Sequence, residues 1–147
     1  FSPKRIILDR NLQIDLKSYI AKSIKNKNTI IFHNSNDKSK IKLLKKRGTT
    51  LIQQSTDKYK NLDLKKILKD LYKMEIRNLL VEGGDILTKN FIQKKLFNEF
   101  YVFRSSKNLS KNKKHVNFTS FSILNTKYNK LKINLKLATD KLTIYKN

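Results

Sequence analysis

Glu82, Gly83, Gly84 and Asp85 stand between an apolar run at residues 79–81 and the amphipathic segment ILTKNFIQKKL, and they use two of the three glycines in the chain. A helix start leaves its first backbone N–H groups without intrahelical acceptors and carries a partial positive charge. When no side chain blocks the approach, such a start holds a phosphate. Gly83 and Gly84 remove those side chains, and a strand ending at Glu82 would put the turn at the carboxyl end of a sheet, where open α/β folds keep their ligands. Glu82, as the last strand residue, would face the same crevice. The plainer reading stays open beside this one: the glycines only turn the chain, Glu82 is solvated and Asp85 caps the helix. Neither the GxGxxG dinucleotide fingerprint nor the GxxxxGK[ST] phosphate loop is present.

The elements that must position this turn follow from periodicity. KRIILD (residues 4–9), NTIIFHN (28–34), TTLIQQS (49–55), RNLLVEG (77–83) and NEFYVFRS (98–105) read as strands. Helices are expected at residues 16–24, along DKSKIKLLKK with a stop at Gly48, and along NLDLKKILKDLYKM, where Leu64, Ile67, Leu68 and Leu71 recur at helical spacing with Asn61 or Asp63 as cap. A further helix follows Asp85, with Ile86, Leu87, Asn90, Phe91 and Leu96 near one face. This alternation predicts an α/β fold with a mixed, mainly parallel sheet. Residues 106–117 are polar and lysine-rich, and LKINLKLATDKLTIYKN reads as a C-terminal antiparallel hairpin turning near Thr139 and Asp140.

Composition bounds the rest. A chain of 147 residues with 38% hydrophobic content suits one domain. It begins at Phe1 and enters a strand at once, so it is expected to be the C-terminal part of something larger. Cysteine is absent, which removes disulfides, thiolate zinc sites and a cysteine nucleophile, and agrees with a reducing cytoplasm. No apolar run approaches the roughly 20 residues of a membrane span. The net charge of +23 comes from 29 lysines and only 5 arginines, spread through nearly every segment beside 16 asparagines. That mixture reflects A+T-rich codons more than a nucleic-acid stripe, which favours arginine.

Two stretches resemble one family. The run LLVEGGDILTKNFIQKKLFNEFYVF is similar to the signature of the reductase domain in bifunctional riboflavin-biosynthesis deaminase/reductase proteins. PKRIILDRNLQID resembles the same domain's Pro-x-Arg-apolar-apolar-Asp motif, in the right order and at a fitting interval. The resemblance implies a dihydrofolate-reductase-like three-layer fold and NADPH-dependent reduction of 5-amino-6-(5-phosphoribosylamino)uracil to its ribitylamino counterpart. It carries Gly83, Gly84, Asp85, Ile86, Leu87 and Thr88 onto the NADPH phosphates, Arg10 onto a cofactor contact, and Glu82 onto the substrate. It names no proton donor, so the catalytic acid stays unassigned. A homodimer and a phosphorylated ribosylaminopyrimidine are the partners that go with it. The resemblance leads one to expect a zinc deaminase domain and the reductase domain's first strands upstream of the segment that begins at Phe1, and FRSSKNLSKNKK stands where the family has an Ala-Pro turn.

Two other readings compete. A pterin reductase related to dihydrofolate reductase shares a glycine pair at this helix, although Glu82 favours the riboflavin branch; a basic nucleic-acid-binding module would use the charge. His33 and His115 are too isolated for a metal site. Lys113, Lys114 and His115 read as a solvated loop. Tyr19, Tyr59, Tyr72, Phe91, Phe97, Phe100, Tyr101 and Phe103 are expected in the core, not as base-stacking platforms.

Overall fold

The computed structural model describes residues 3–24, 28–106, 118–131, 135 and 139–147. It forms two compact units, Phe1–Asn78 and Leu79–Asn147.

In the first unit β1 (Arg5–Leu8), α1 (Tyr19–Lys22), β2 (Thr29–His33), α2 (Lys38–Lys46), β3 (Thr50–Gln53) and α3 (Leu64–Lys73) alternate as expected. The strands form a parallel sheet in the order β1-β2-β3, with Ile7 opposite Ile31 and Ile31 opposite Leu51. β2 is paired on both edges and buried at all five positions, which explains its unbroken apolar centre. Leu12, Ile31 and Leu44 form the core with Ile7, Ile14, Leu16, Ile41 and Leu51 against them. α3 buries Leu64, Ile67 and Leu71.

Short polar residues start these helices by accepting amide hydrogen bonds. Asp37 Oδ1 takes the Lys40 amide at 2.9 Å, and Asp63 Oδ1, not Asn61, takes those of Lys65 and Lys66 at 3.1 and 3.4 Å. α2 ends as its glycine predicts. Gly48 adopts φ 88°, its amide bonds the Lys45 carbonyl at 2.9 Å, and Thr49 N–H reaches Leu44 O at 3.2 Å. α3 ends with the same pair of bonds, Glu75 to Tyr72 at 2.9 Å and Ile76 to Leu71 at 3.0 Å, but here Glu75 holds the left-handed position at φ 62°.

The second unit contains α4 (Asp85–Gln93), β4 (Glu99–Arg104), α5 (Phe121–Lys127), β5 (Asn129–Leu131) and β6 (Lys141–Lys146). Its sheet is antiparallel, in the order β4-β6-β5. β5 and β6 realise the C-terminal hairpin with Leu131 opposite Ile144; residues 132–134 and 136–138 of that stretch lie outside the described residues. Ile92, Leu124 and Tyr145 centre the core, joined by Phe97, Phe100, Phe118, Phe121 and Tyr128. The rings meet edge-on at Phe118 and Phe121 (4.7 Å), tilted at Phe97 and Tyr128 (4.9 Å) and stacked at Phe100 and Phe118 (6.4 Å).

Several expectations change. The α/β class holds, with parallel and antiparallel pairing each confined to its own three-stranded sheet among the described residues. The strand expected at residues 77–83 is absent: that stretch is irregular, and Leu80 is exposed. A strand exists through its partners, and no ladder here includes this segment. α4 closes at Gln93, before Leu96, and buries Phe91 and Ile92 while Ile86 is 72% exposed. Of the aromatics expected inside, Phe91, Phe97 and Phe100 are packed, whereas Tyr19, Tyr59, Tyr72, Tyr101 and Phe103 are exposed. Their alternation or helical spacing places the last two on the solvated side of β4 and the others on helix or loop surfaces.

Relieving the left-handed backbone at Glu75 gives a direct test. Glu75→Gly should stabilise the chain by about 0.5–1 kcal/mol, because a side chain in this region costs roughly 1–2 kcal/mol and glycine returns part of that as unfolded-state entropy. Urea unfolding measures it; a loss of stability would contradict the described helix end.

Candidate functional site

The site of greatest interest is the start of α4. Gly84 is the N-cap residue, with φ −74° and ψ 175°, and no side chain caps the helix. Among the described residues, the amides of Asp85, Ile86 and Leu87 meet no acceptor, and the first amide of the turn to find one is that of Thr88, 3.1 Å from the Gly84 carbonyl. Three donors are therefore aligned at the positive end of a nine-residue helix.

The two glycines differ in what they do. A methyl group on Gly84 would find nothing within 4 Å, so its bareness keeps the approach to the amides clear. On Gly83 it would come 2.8 Å from Leu87 Cδ2 and 3.3 Å from Leu87 Cβ, so that glycine makes room for the helix's own side chain. Close packing thus accounts for Gly83, and no packing constraint accounts for Gly84.

Asp85 does not cap the helix. It is the first helical residue, and both its oxygens are engaged: Oδ1 accepts the Thr119 amide at 3.2 Å and Oδ2 the Thr119 hydroxyl at 3.0 Å. The carboxylate thereby ties the helix start to the turn before α5. Tyr128 holds the far end of α4, its hydroxyl donating to the Ile92 carbonyl at 2.6 Å, and burial raises its pKa above the ordinary tyrosine value. Glu82 is exposed, as are Gly83, Gly84 and Ile86; Asp85, Leu87 and Thr88 are half-buried.

Arg10 belongs to the first unit, where the carboxyl ends of β1, β2 and β3 build a polar rim. Asp9 closes the turn after β1 by accepting the Gln13 and Ile14 amides at 2.8 and 2.7 Å. The Arg10 carbonyl takes the Asn34 amide at 2.8 Å, and its guanidinium donates to the Lys60 carbonyl and, at 3.2 Å, to Asn11 Oδ1. Asn34 Nδ2 donates to Gln54 O at 2.7 Å, and Gln54 Nε2 to Asp70 Oδ2 at 2.8 Å. Arg10 was expected here from the family resemblance alone, whereas the hydrogen bonds of Asn34 and Gln54 at this rim were not anticipated, although both residues stand just past an apolar strand.

His33 closes β2 at this rim and is 3% exposed. Its Nδ1 accepts the Ser35 amide at 3.2 Å, which fixes a ring nitrogen as acceptor. Desolvation lowers its pKa below 6.5, with Lys45 acting in the same direction and Ser35 and Asp9 opposing. No metal-binding group of three or more occurs among the described residues, and Lys113, Lys114 and His115 lie outside them.

The comparisons with known proteins agree with one another. A family model for the RibD C-terminal domain matches residues 1–139. The riboflavin biosynthesis protein RibD of Aquifex aeolicus is 31% identical over 105 residues, and that of Actinobacillus pleuropneumoniae 28% over 105. Each alignment covers 71% of this chain, which spans 28% of the relative. Among solved structures, Acinetobacter baumannii RibD matches in form 1 with a TM-score of 0.71 at 19% identity, and in form 2 with 0.72 at 20%. Both cover 98% of this chain and 37% of the other, and they share its fold.

The buried His33 predicts a pH dependence with a definite sign. Its folded pKa is depressed, so the unfolded chain takes up the proton first, and stability present above about pH 6.5 is lost as pH falls through that value and below. Thermal unfolding between about pH 7.5 and pH 5 should show the decline, and His33→Gln should flatten it. An unchanged slope in that variant would assign the effect elsewhere.

Proposed function

The chain belongs to the RibD C-terminal domain family, matched over residues 1–139, and on that basis we propose that it carries the NADPH-dependent reductase step that converts 5-amino-6-(5-phosphoribosylamino)uracil to the 5-phosphoribitylamino compound. The observation that supports this most directly is the uncapped start of α4, with Gly84 open in front of three unpaired amides. The donor set suits a dinucleotide's diphosphate, which needs several N–H groups and an unobstructed backbone.

In this reading Asp85, Ile86 and Leu87 donate their amides to the diphosphate, with the Thr88 hydroxyl beside them and Gly83 and Gly84 allowing the approach. Thr119 keeps the Asp85 carboxylate hydrogen-bonded while an anion sits at the same turn. The family resemblance also assigns Arg10 a cofactor contact and Glu82 hydrogen bonds to the substrate. When bound, the cofactor would supply a hydride to the ring-opened sugar carbon, the matching proton would go to the heteroatom doubly bonded to that carbon, and the pyrimidine would stay intact. The work of the protein is to hold the two ligands face to face. No side chain of this chain is assigned as proton donor.

The family model runs across both units, which supports reading them as one reductase domain within a larger protein. A cytoplasmic homodimer accompanies the reading. None of the described helices is long and apolar enough to cross a membrane.

Gly84→Asp separates the two roles open to this position. Aspartate is a better N-cap than glycine by a few tenths of a kcal/mol, so the variant should unfold at slightly higher urea. Its carboxylate would occupy the anion's approach, so NADPH affinity, read by quenching or transfer of nicotinamide fluorescence, should fall about tenfold or more. Binding unchanged by this substitution would remove the helix start from the cofactor site, and failure of the native chain to bind NADPH or to oxidise it with the phosphoribosylaminopyrimidine would sink the assignment.

A further inference from the structure

A second concave site lies on the antiparallel sheet of the Leu79–Asn147 unit. It is a groove of about 210 Å³ between β4, β6, β5 and α5, and none of the residues 82–88 lines it. Register explains its contents. Val102 pairs with Thr143, Arg104 with Lys141 and Lys130 with Tyr145, so alternate residues of three strands project on one face. Val102, Phe121, Thr143 and Tyr145 make a floor that is buried or half-buried, and Arg104, Lys130 and Lys141 stand exposed around it.

Two of the three cations are held over rings. The Arg104 guanidinium lies over the Phe121 ring, 5.1 Å from its centroid, and the Lys130 ammonium is 5.9 Å from the centroid of Tyr145. Tyr145, only 3% exposed, is itself fixed by its hydroxyl, which donates to Asn125 Oδ1 at 2.7 Å. Among the described residues no carboxylate lines the groove. Arg104 and Lys141 are direct cross-strand partners, an arrangement of like charges that destabilises a sheet unless something negative lies between them.

We propose that this groove binds a phosphate group, as a phosphomonoester or free phosphate, distinct from the diphosphate assigned to α4. The opposed Arg104 and Lys141 bracket the anion, Lys130 adds a third charge, and the Thr143 hydroxyl and Asn125 amide supply neutral donors. A dianion satisfies three clustered cations that no side chain of the groove neutralises. A nucleic-acid backbone is less suited, because the site is a single pocket with a half-buried floor and holds one arginine.

The test uses the full 147-residue chain with inorganic phosphate at constant ionic strength. Phosphate should raise the thermal midpoint, and its titration should move the amide resonances of Arg104, Asn125, Lys141 and Thr143 first. Lys141→Ala should raise the midpoint in chloride, since it removes the like-charge pair, and should weaken phosphate binding about tenfold or more. Lys73→Ala, on α3, should do neither. Resonance changes scattered over the lysines, or equal losses in the two variants, would overturn the proposal by showing a general response to net charge. If a variant fails to fold, the resonance map of the native chain still decides. A short DNA duplex that binds the groove more tightly than phosphate, with a salt slope of several ions, would also overturn it in favour of a nucleic-acid interface.

Discussion

A helix cannot satisfy its own first amides, and the start of α4 leaves that deficit open. In α1, α2 and α3 the deficit is closed locally, where Ser18, Asp37 and Asp63 each turn a side-chain oxygen back onto the helix they begin, while the seven-residue α5, like α4, starts without a side-chain cap. α4 has only Gly84 at the equivalent place, and the nearest carboxylate, Asp85, is drawn off to Thr119. The neighbouring structure serves to keep that turn in place, through Phe91 and Ile92 packed below it and the Tyr128 hydroxyl on the Ile92 carbonyl. An uncapped start on a well-anchored helix is what anion recognition by backbone requires.

How much of this was legible in the sequence depended on whether the signal was local. β2 and α3 were readable because every position of the one is buried and the other repeats Leu64, Ile67 and Leu71 at helical spacing. Gly48 announced a helix end through its own backbone freedom, whereas Glu75 and Lys95, in the same left-handed conformation, gave no such sign. The apolar run at residues 79–81 looks like a strand by composition, yet pairing is a property of neighbours, and composition does not supply them.

The candidate site was legible to the same extent. Gly83, Gly84 and Asp85 could be singled out as a helix start, but what surrounds each is set by packing: Leu87 one turn on beside Gly83, the distant Thr119 on Asp85, and open space at Gly84. The rim at Asp9, Asn34 and Gln54 and the basic groove around Tyr145 arise from register between strands distant in sequence. Charge counting spread the +23 evenly, and only cross-strand pairing shows that Arg104 and Lys141 face each other.

The place of β6 has a consequence for biosynthesis. Lys141–Lys146 is the middle strand of the antiparallel sheet, flanked by β4 and β5, so neither neighbour has a ladder until those residues have left the ribosome tunnel. The parallel β1-β2-β3 sheet needs no residue beyond Gln53 and is complete in the nascent chain long before. The aromatic cluster around Phe97, Phe100 and Phe118 must meanwhile wait without its central strand, so its apolar surface is most open to wrong contacts in the interval before β6 emerges.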